Sequence, residues 1–242
     1  MSLPPLPADY ATSREDLHAV AEQVLAAARF AAAGRIALAP MPGGFGTPGF
    51  PGPGGTDRVV RVVGTDLVVE DDGAEMARHP LTTVGDLAAA LDVDLDAPVG
   101  SFTPTTPREP GRALAVSPAA ASVVEAWLAL AAGVLDVLAD ELGSRDEVLH
   151  APALWPEHFD VGMDAGPQGA QASYGLSPGD AGEPAPYAYV SAWQPVGDDP
   201  FWNATSFRGA LLRYADVAAA DDPGAVVLAF LRRGRELLGD RR

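Results

Sequence analysis

The residues best suited to chemistry are an imidazole and a carboxylate that stand two positions apart in the second half of the sequence. Residues 157–164 are predicted to form a strand, and the period of two puts His158 and Asp160 on the face opposite the apolar side chains. A carboxylate that orients an imidazole is a common general acid–base arrangement. His158 and Asp160 are therefore the candidate catalytic residues.

Two further predicted strands, at 168–177 and 187–194, extend this polar face. An ordinary solvent face carries more charged residues and fewer large aromatic rings than these strands do. We expect the face to bind a ligand through stacking and hydrogen bonds. The candidate ligand-binding residues are Gln171, Ser173, Tyr187, Tyr189 and Trp193.

The charge of this region indicates what kind of ligand it would bind. Residues 146–207 contain nine acidic residues and no Lys or Arg, and the whole chain has a formal net charge of −17. A negative field interleaved with aromatic rings favours a cationic or neutral small molecule. The same charge makes nucleic acid and an anionic membrane surface poor partners. The sequence therefore predicts a small-molecule ligand, no nucleic acid and no membrane.

Metal chemistry is a weaker interpretation of the same region. His150, Glu157 and His158 are side chains of the types that bind zinc or manganese, but their spacing matches no established metal motif. No cofactor is predicted, and a divalent metal is the only one these residue types suggest. The sequence lacks Cys, which excludes disulfides and thiolate nucleophiles. All 16 basic residues are Arg, so lysine Schiff-base chemistry is excluded as well.

Two glycine motifs match known patterns without the context that those patterns need. Residues 44–49 fit the dinucleotide-binding fingerprint, but prolines at 48, 51 and 53 occupy the positions where a helix should begin. Residues 175–179 fit the nucleophile elbow of serine hydrolases, but no histidine occurs after His158. The segment 40–56 holds seven glycines and five prolines. It is predicted to be a loop without regular structure, mobile or lid-like.

The predicted elements belong to the α+β class, because antiparallel meanders joined by short turns would lie against helices. In the first half the first predicted helix begins at residue 12 or 13 and ends at 33, and the second is 84–91. The predicted strands there are 35–39, 58–63, 66–70 and 74–78. In the second half the predicted helices are 118–142, 206–217 and 223–238 and the predicted strands are 157–164, 168–177 and 187–194.

A Pro- and Asp-rich segment at 92–111 is predicted to separate the halves 1–111 and 112–242. Each half reads as a helix, a three-strand antiparallel meander and a helix, which suggests a pseudo-repeat. No signal peptide is visible, and the longest apolar stretch is interrupted by charged residues. We therefore expect a soluble, cytoplasmic protein.

Several segments resemble an uncharacterised family of high-GC actinobacteria, a domain of unknown function. The resemblance covers nearly the whole chain and rests chiefly on the residues Trp-Pro-Glu-His-Phe-Asp at 155–160, Ser-Tyr-Gly-Leu-Ser-Pro-Gly-Asp at 173–180 and Pro-Tyr-Ala-Tyr at 186–189. The family has no assigned activity, so the resemblance implies no functional residues.

Three functions remain open on the sequence alone. The leading hypothesis is a small-molecule-binding protein or enzyme whose site lies on the second meander. An alternative is a non-catalytic scaffold that oligomerises or binds a protein through the same aromatic residues, since interfaces are also rich in them. The third is a metal-dependent hydrolase that would use His150 and His158.

Overall fold

A computed structural model describes residues 2–96, 104–143 and 147–239. Within these ranges the chain has the predicted α+β class, with helices and two antiparallel sheets. It divides into two compact units. The N-terminal unit comprises residues 5–126 and 154–159, and the C-terminal unit comprises the described parts of 1–4, 127–153 and 160–242. The predicted boundary between residues 111 and 112 stays a prediction, and residues 97–103 of the predicted linker lie outside the described ranges.

The N-terminal unit begins with helix α1 (Tyr10–Val20), which continues through a π-helical segment (Ala21–Ala26) into α2 (Ala27–Ala33). Gly34 ends this run in the left-handed conformation with φ 63°, a geometry that glycine adopts without strain. The long helix predicted here is confirmed. Helix α3 (Val84–Leu91) is also where the sequence predicts a helix, and its first turn is capped by the Thr83 side chain.

A six-stranded sheet completes the N-terminal unit, with the order β1-β2-β4-β5-β6 and β3 paired to β4. Its strands are β1 (Ala39–Met41), β2 (Gly44–Gly46), β3 (Phe50–Pro51), β4 (Asp57–Val63), β5 (Asp66–Asp71) and β6 (Ala74–Pro80). The predicted β4–β5 hairpin is confirmed. The prediction of a structureless loop over 40–56 is wrong, because this segment pairs with β4. Glycine is needed for that pairing: a Cβ at Gly46 would lie 2.7 Å from the Val60 carbonyl oxygen.

The C-terminal unit contains a five-stranded antiparallel meander whose strands follow one another in chain order. They are β7 (Val148–Trp155), β8 (Asp160–Ala165), β9 (Ala172–Ser177), β10 (Tyr187–Ala192) and β11 (Gly209–Arg213). The helix predicted at 206–217 is wrong, since β11 is followed only by the short α5 (Tyr214–Ala218). Gly209 allows β11 to approach β10, because a Cβ there would collide with the Val190 carbonyl oxygen.

The strand predicted over 157–164 is a second error in this region. Residues 156–159 form a turn, and β8 begins only at Asp160. Phe159, with φ 50°, is a non-glycine residue in the left-handed region, so the chain turns there and the alternation from His158 to Asp160 is broken. The pseudo-repeat is not confirmed either, because the two sheets differ in both strand number and strand order.

Two long helices contribute to the C-terminal unit. Helix α6 (Pro223–Gly239) lies against β10, and Gly234 lets it do so: a Cβ there would lie 2.8 Å from Val190 Cγ2. Helix α4 (Pro118–Gly143) is the one described helix long and apolar enough to cross a membrane, and 56% of its most apolar window is buried inside the protein. Core helices of soluble proteins have the same length and composition.

Candidate functional site

Strand register gives the meander of the C-terminal unit one apolar and one polar face. Met163, Tyr174 and Val190 are cross-strand neighbours on the apolar face, which α6 covers at Val190. The intervening residues therefore point to the other face. That polar face carries Asp160, Asp164, Ser173, Gly175, Ser177, Tyr187, Tyr189 and Ser191. Three of the predicted ligand-binding residues, Ser173, Tyr187 and Tyr189, thus share one side of the sheet with Asp160.

Three consecutive hydrogen bonds cross one end of this face. His150 Nδ1 donates to Asp164 Oδ2 over 2.8 Å, and Ser173 Oγ donates to Asp164 Oδ1 over 2.6 Å. Trp193 Nε1 donates in turn to Ser173 Oγ over 3.2 Å. The four residues come from β7, β8, β9 and the position after β10, so each successive strand supplies one. We refer to this set as the His150–Trp193 row.

The hydrogen bonds indicate where the protons of the His150–Trp193 row lie. Both oxygens of Asp164 accept hydrogen bonds, which suits an ionised carboxylate. The proton of neutral His150 must lie on Nδ1, because the carboxylate can only accept; this leaves Nε2 as a bare acceptor. The imidazole is well exposed, with 66% of the side chain accessible. The row therefore presents a carboxylate-oriented base to solvent.

Trp193 is the exposed aromatic residue of the row. It is 42% exposed, while its indole N–H is held by Ser173 and its main-chain N–H donates to the Gln171 carbonyl oxygen over 3.1 Å. The ring is thus fixed at its N–H edge and partly exposed to solvent. Such an indole can stack on a planar ligand without first losing conformational freedom.

The Tyr189 side chain covers the middle of the polar face. Its ring lies over Gly175, where a Cβ would be 2.5 Å from the ring carbon Cζ, and its hydroxyl donates to Asp160 Oδ2. Phe207 packs against the ring edge-on at a centroid distance of 6.3 Å. Burial raises the pKa of Tyr189 well above its usual value, and the Asp160 charge adds to this effect. Tyr189 therefore stays a protonated donor that fills the face.

Tyr187 occupies the far end of the face in a similar way. Its hydroxyl donates to Asp180 Oδ2 over 2.6 Å, and its ring lies 6.2 Å from that of Tyr189. The residue is 8% exposed, and burial raises the pKa of its phenol. The two tyrosines expected to stack on a ligand are thus packed into the protein, and the accessible ring on this face belongs to Trp193.

The predicted catalytic pair is distributed over different elements. His158 is exposed in the turn of the N-terminal unit, whereas Asp160 is 6% exposed at the start of β8 and accepts the Tyr189 hydroxyl. Catalysis by His158 and Asp160 stays a prediction that the fold does not support through strand alternation. Asp164, which sequence reasoning left out of the candidates, is the carboxylate that contacts a histidine in this sheet.

The three weak metal candidates are also spread over different elements. His150 is on β7, whereas Glu157 and His158 are in the turn of the N-terminal unit. Among residues 2–96, 104–143 and 147–239, no group of three or more histidines and carboxylates is arranged to hold a metal ion. His150 does have the carboxylate partner that often orients a metal-binding histidine. It would need further ligands that these ranges do not supply.

A second polar cluster is buried in the N-terminal unit around Glu22, which lies in the π-helical segment. Its carboxylate accepts hydrogen bonds from the main-chain N–H and side-chain hydroxyl of both Thr105 and Thr106, at 2.7–3.1 Å. His18 Nε2 donates to the Pro156 carbonyl oxygen over 2.8 Å and lies 3.6 Å from Glu22. Every bond of this Glu22 cluster holds a loop or turn onto α1 or the π-helical segment that follows it, so we interpret the cluster as structural.

The sequence pattern predicts no strand at β7, and His150 is therefore only a weak metal candidate on sequence grounds. Pro152 stands in the middle of that strand, and proline normally argues against a strand interior. β7 is an edge strand of its sheet, where proline is tolerated. The signal that could have revealed it is the apolar pair Val148–Leu149 followed by Ala153–Leu154.

Comparison of the chain with protein-family models, with curated proteins and with solved structures finds no match in any of the three. The resemblance to an actinobacterial family of unknown function gains no support from these comparisons and stays a prediction. Any functional conclusion must therefore come from the residues of this chain. The His150–Trp193 row is the arrangement that offers the most specific chemistry.

Proposed function

We propose that the chain binds a small molecule at the exposed end of the meander's polar face, over the His150–Trp193 row. The observation that carries this proposal is the run of three hydrogen bonds from His150 to Trp193. An ordinary solvent-exposed face has no need to fix an imidazole and an indole through two intervening side chains. Fixing both rings in advance lowers the entropy cost of binding a ligand between them.

The spacing of the rings suits a small ligand. Neighbouring strands lie about 4.8 Å apart, so the main chains of His150 and Trp193 are separated by three strand spacings, roughly 14 Å. Both side chains reach inward toward the Asp164–Ser173 pair between them. A ligand of one or two rings would contact the imidazole, the indole and the Ser173–Asp164 floor together.

His150 gives the proposed site its reactivity. With Nδ1 held by Asp164, the bare Nε2 can remove a proton from a bound substrate or from water. Ser173 cannot act as the nucleophile of a serine-hydrolase triad, because it donates to Asp164 instead of to the histidine. The proposed chemistry is therefore general-base catalysis, in a soluble and cytoplasmic protein with no required metal.

Hydrolysis of 4-nitrophenyl acetate tests whether the bare Nε2 is accessible and reactive, because an unprotonated imidazole nitrogen attacks this ester and releases 4-nitrophenolate, and water then hydrolyses the acyl-imidazole. We expect His150→Gln to abolish the protein-dependent rate and Asp164→Asn to lower it roughly tenfold, because the amide no longer fixes the bare Nε2. His158→Gln is the matched control, since His158 is also exposed but lies outside the row.

The controls separate loss of reactivity from loss of fold. Circular dichroism and thermal unfolding should be the same for His150→Gln, His158→Gln and the wild type, because both side chains are exposed. Equal rates for the wild type and Asp164→Asn would contradict the proposal, as would a rate that depends on His158 instead of His150.

A second candidate function is a scaffold that self-associates through this end of the sheet. Two apolar residues support it, because Trp193 and Leu149 are each 42% exposed. Interfaces are enriched in tryptophan and depleted of charge at their centre. Light scattering of the wild type and of Trp193→Ser would decide: a dimer that the substitution dissociates supports the scaffold, and a monomer in both cases excludes it.

A further inference from the structure

One arginine of the C-terminal unit differs from its neighbours. Within the described part of that unit, Arg213, Arg232, Arg233 and Arg235 each form an ion pair with a carboxylate. Arg208 is the described arginine there that has no carboxylate partner. It is exposed, and its Nη1 donates to the Trp193 carbonyl oxygen over 3.4 Å.

The main chain around Arg208 is held on both sides. The Arg208 carbonyl oxygen accepts from Ala192 N–H over 3.0 Å, which extends the β10–β11 pairing by one step. Phe207 packs against Tyr189, and Gly209 is fitted closely against Val190. The main chain of Arg208 is therefore held in place by the packing of Phe207 and Gly209, although the Arg208 side chain is exposed.

The contact with Trp193 locates the guanidinium at the end of β10. The Trp193 N–H donates to the Gln171 carbonyl oxygen, and Trp193 itself lies in a bend just after β10. The Arg208 guanidinium therefore lies beside the residue that ends the His150–Trp193 row, next to the proposed ligand site. The segment without Lys or Arg, 146–207, ends one position before Arg208.

We propose that Arg208 binds a carboxylate group of the small molecule held at Trp193. This inference rests on the proposed function and names the chemical class of its ligand: a planar or aromatic carboxylic acid. A guanidinium presents two parallel N–H donors to a carboxylate, and it has no internal carboxylate to displace. The surrounding acidic residues disfavour a dianionic phosphate more strongly than a singly charged carboxylate. The sequence predicts a cationic or neutral ligand from residues 146–207, and this segment excludes Arg208.

Four ligands of similar size but different charge test which charge the site prefers: benzoate, phenyl phosphate, benzamide and benzylammonium. Each is titrated into ¹⁵N-labelled protein while the Trp193 indole N–H signal is followed, with Trp193→Phe used for assignment. We expect benzoate to bind more tightly than the other three. Arg208→Gln should weaken benzoate roughly fivefold and leave benzamide unchanged, because only the ion pair is removed. Arg213→Gln, which removes an arginine already paired with Glu183, should leave both unchanged.

The outcomes distinguish this inference from the proposed function. If benzamide or benzylammonium shifts the Trp193 signal and benzoate does not, the carboxylate assignment is overturned and the binding site stands. Tighter binding of phenyl phosphate than of benzoate also overturns it, in favour of a phosphorylated ligand. If no probe shifts the Trp193 signal at millimolar concentration, both this inference and the proposed function are overturned. Equal benzoate affinity in the wild type and Arg208→Gln removes Arg208 from the site.

Discussion

At the scale of single residues, two histidines lie next to carboxylates but have different roles. His150 is exposed and donates through Nδ1 to Asp164, so its second nitrogen is open to a ligand. His18 is buried, stacks on the Phe159 ring at 5.3 Å and donates through Nε2 to a main-chain carbonyl. Exposure decides between them: the first can exchange protons with a substrate, and the second holds a turn in place.

The buried imidazole of His18 should make stability depend on pH. Burial lowers its pKa from the ordinary value of 6.5, with Arg14 and His158 acting in the same direction and Glu22 opposing them. Below pH 6.5 the unfolded chain therefore binds a proton that the folded chain does not, and the free energy of unfolding falls as the pH drops. The contribution of His18 to the free energy of unfolding is complete above pH 6.5. It decreases as the pH falls from 6.5 toward the lower pKa that His18 has in the folded protein.

The measurement is urea unfolding of the wild type and His18→Gln between pH 7.5 and 5. Glutamine can still donate to the Pro156 carbonyl oxygen but cannot be protonated. We expect the slope of the unfolding free energy against pH to be shallower in the variant, by up to about 1.4 kcal/mol per pH unit. Identical slopes would show that His18 is not protonated differently in the two states.

At the scale of elements, glycine decides where strands meet. Gly46 and Gly209 let β2 and β11 approach their partners, and both segments were assigned to other structure from their sequence. In the sheet of the C-terminal unit, Gly175 leaves room for the ring of Tyr189. In a sequence, glycine is usually interpreted as a turn residue. The close approach of two strands that a glycine permits can be recognised only when the strand pairing is known.

Replacing Gly175 with alanine should disrupt the middle of the polar face. The added methyl would lie 2.5 Å from the Tyr189 ring, which must move and lose its hydrogen bond to Asp160. We expect a loss of about 1–3 kcal/mol in the free energy of unfolding, measured with urea. Gly133→Ala is the matched control: it lies on α4 with nothing within 4 Å of the new Cβ, and should gain up to about 1 kcal/mol. Similar effects of the two substitutions would contradict the packing described for Tyr189.

At the scale of the whole molecule, periodicity predicted the α+β class, the long helices and the β4–β5 hairpin, because each of these follows from residues close in sequence. It also predicted that Ser173, Tyr187 and Tyr189 share a face with Asp160. It failed for His158, where the left-handed Phe159 interrupts the alternation, and for His150, whose strand contains a proline. The hydrogen bonds of the His150–Trp193 row join residues 9 to 20 positions apart on different strands, and no local pattern encodes such contacts.

The most direct test of this account is the ¹⁵N NMR spectrum of the His150 imidazole, recorded at a pH where the ring is neutral. The hydrogen bond to Asp164 predicts that Nδ1 carries the proton and Nε2 is bare, and that Asp164→Asn removes this preference. Free histidine prefers the opposite tautomer. A protonated Nε2 in the wild-type protein, unchanged in Asp164→Asn, would mean that Asp164 does not hold the imidazole and that the row offers no oriented base.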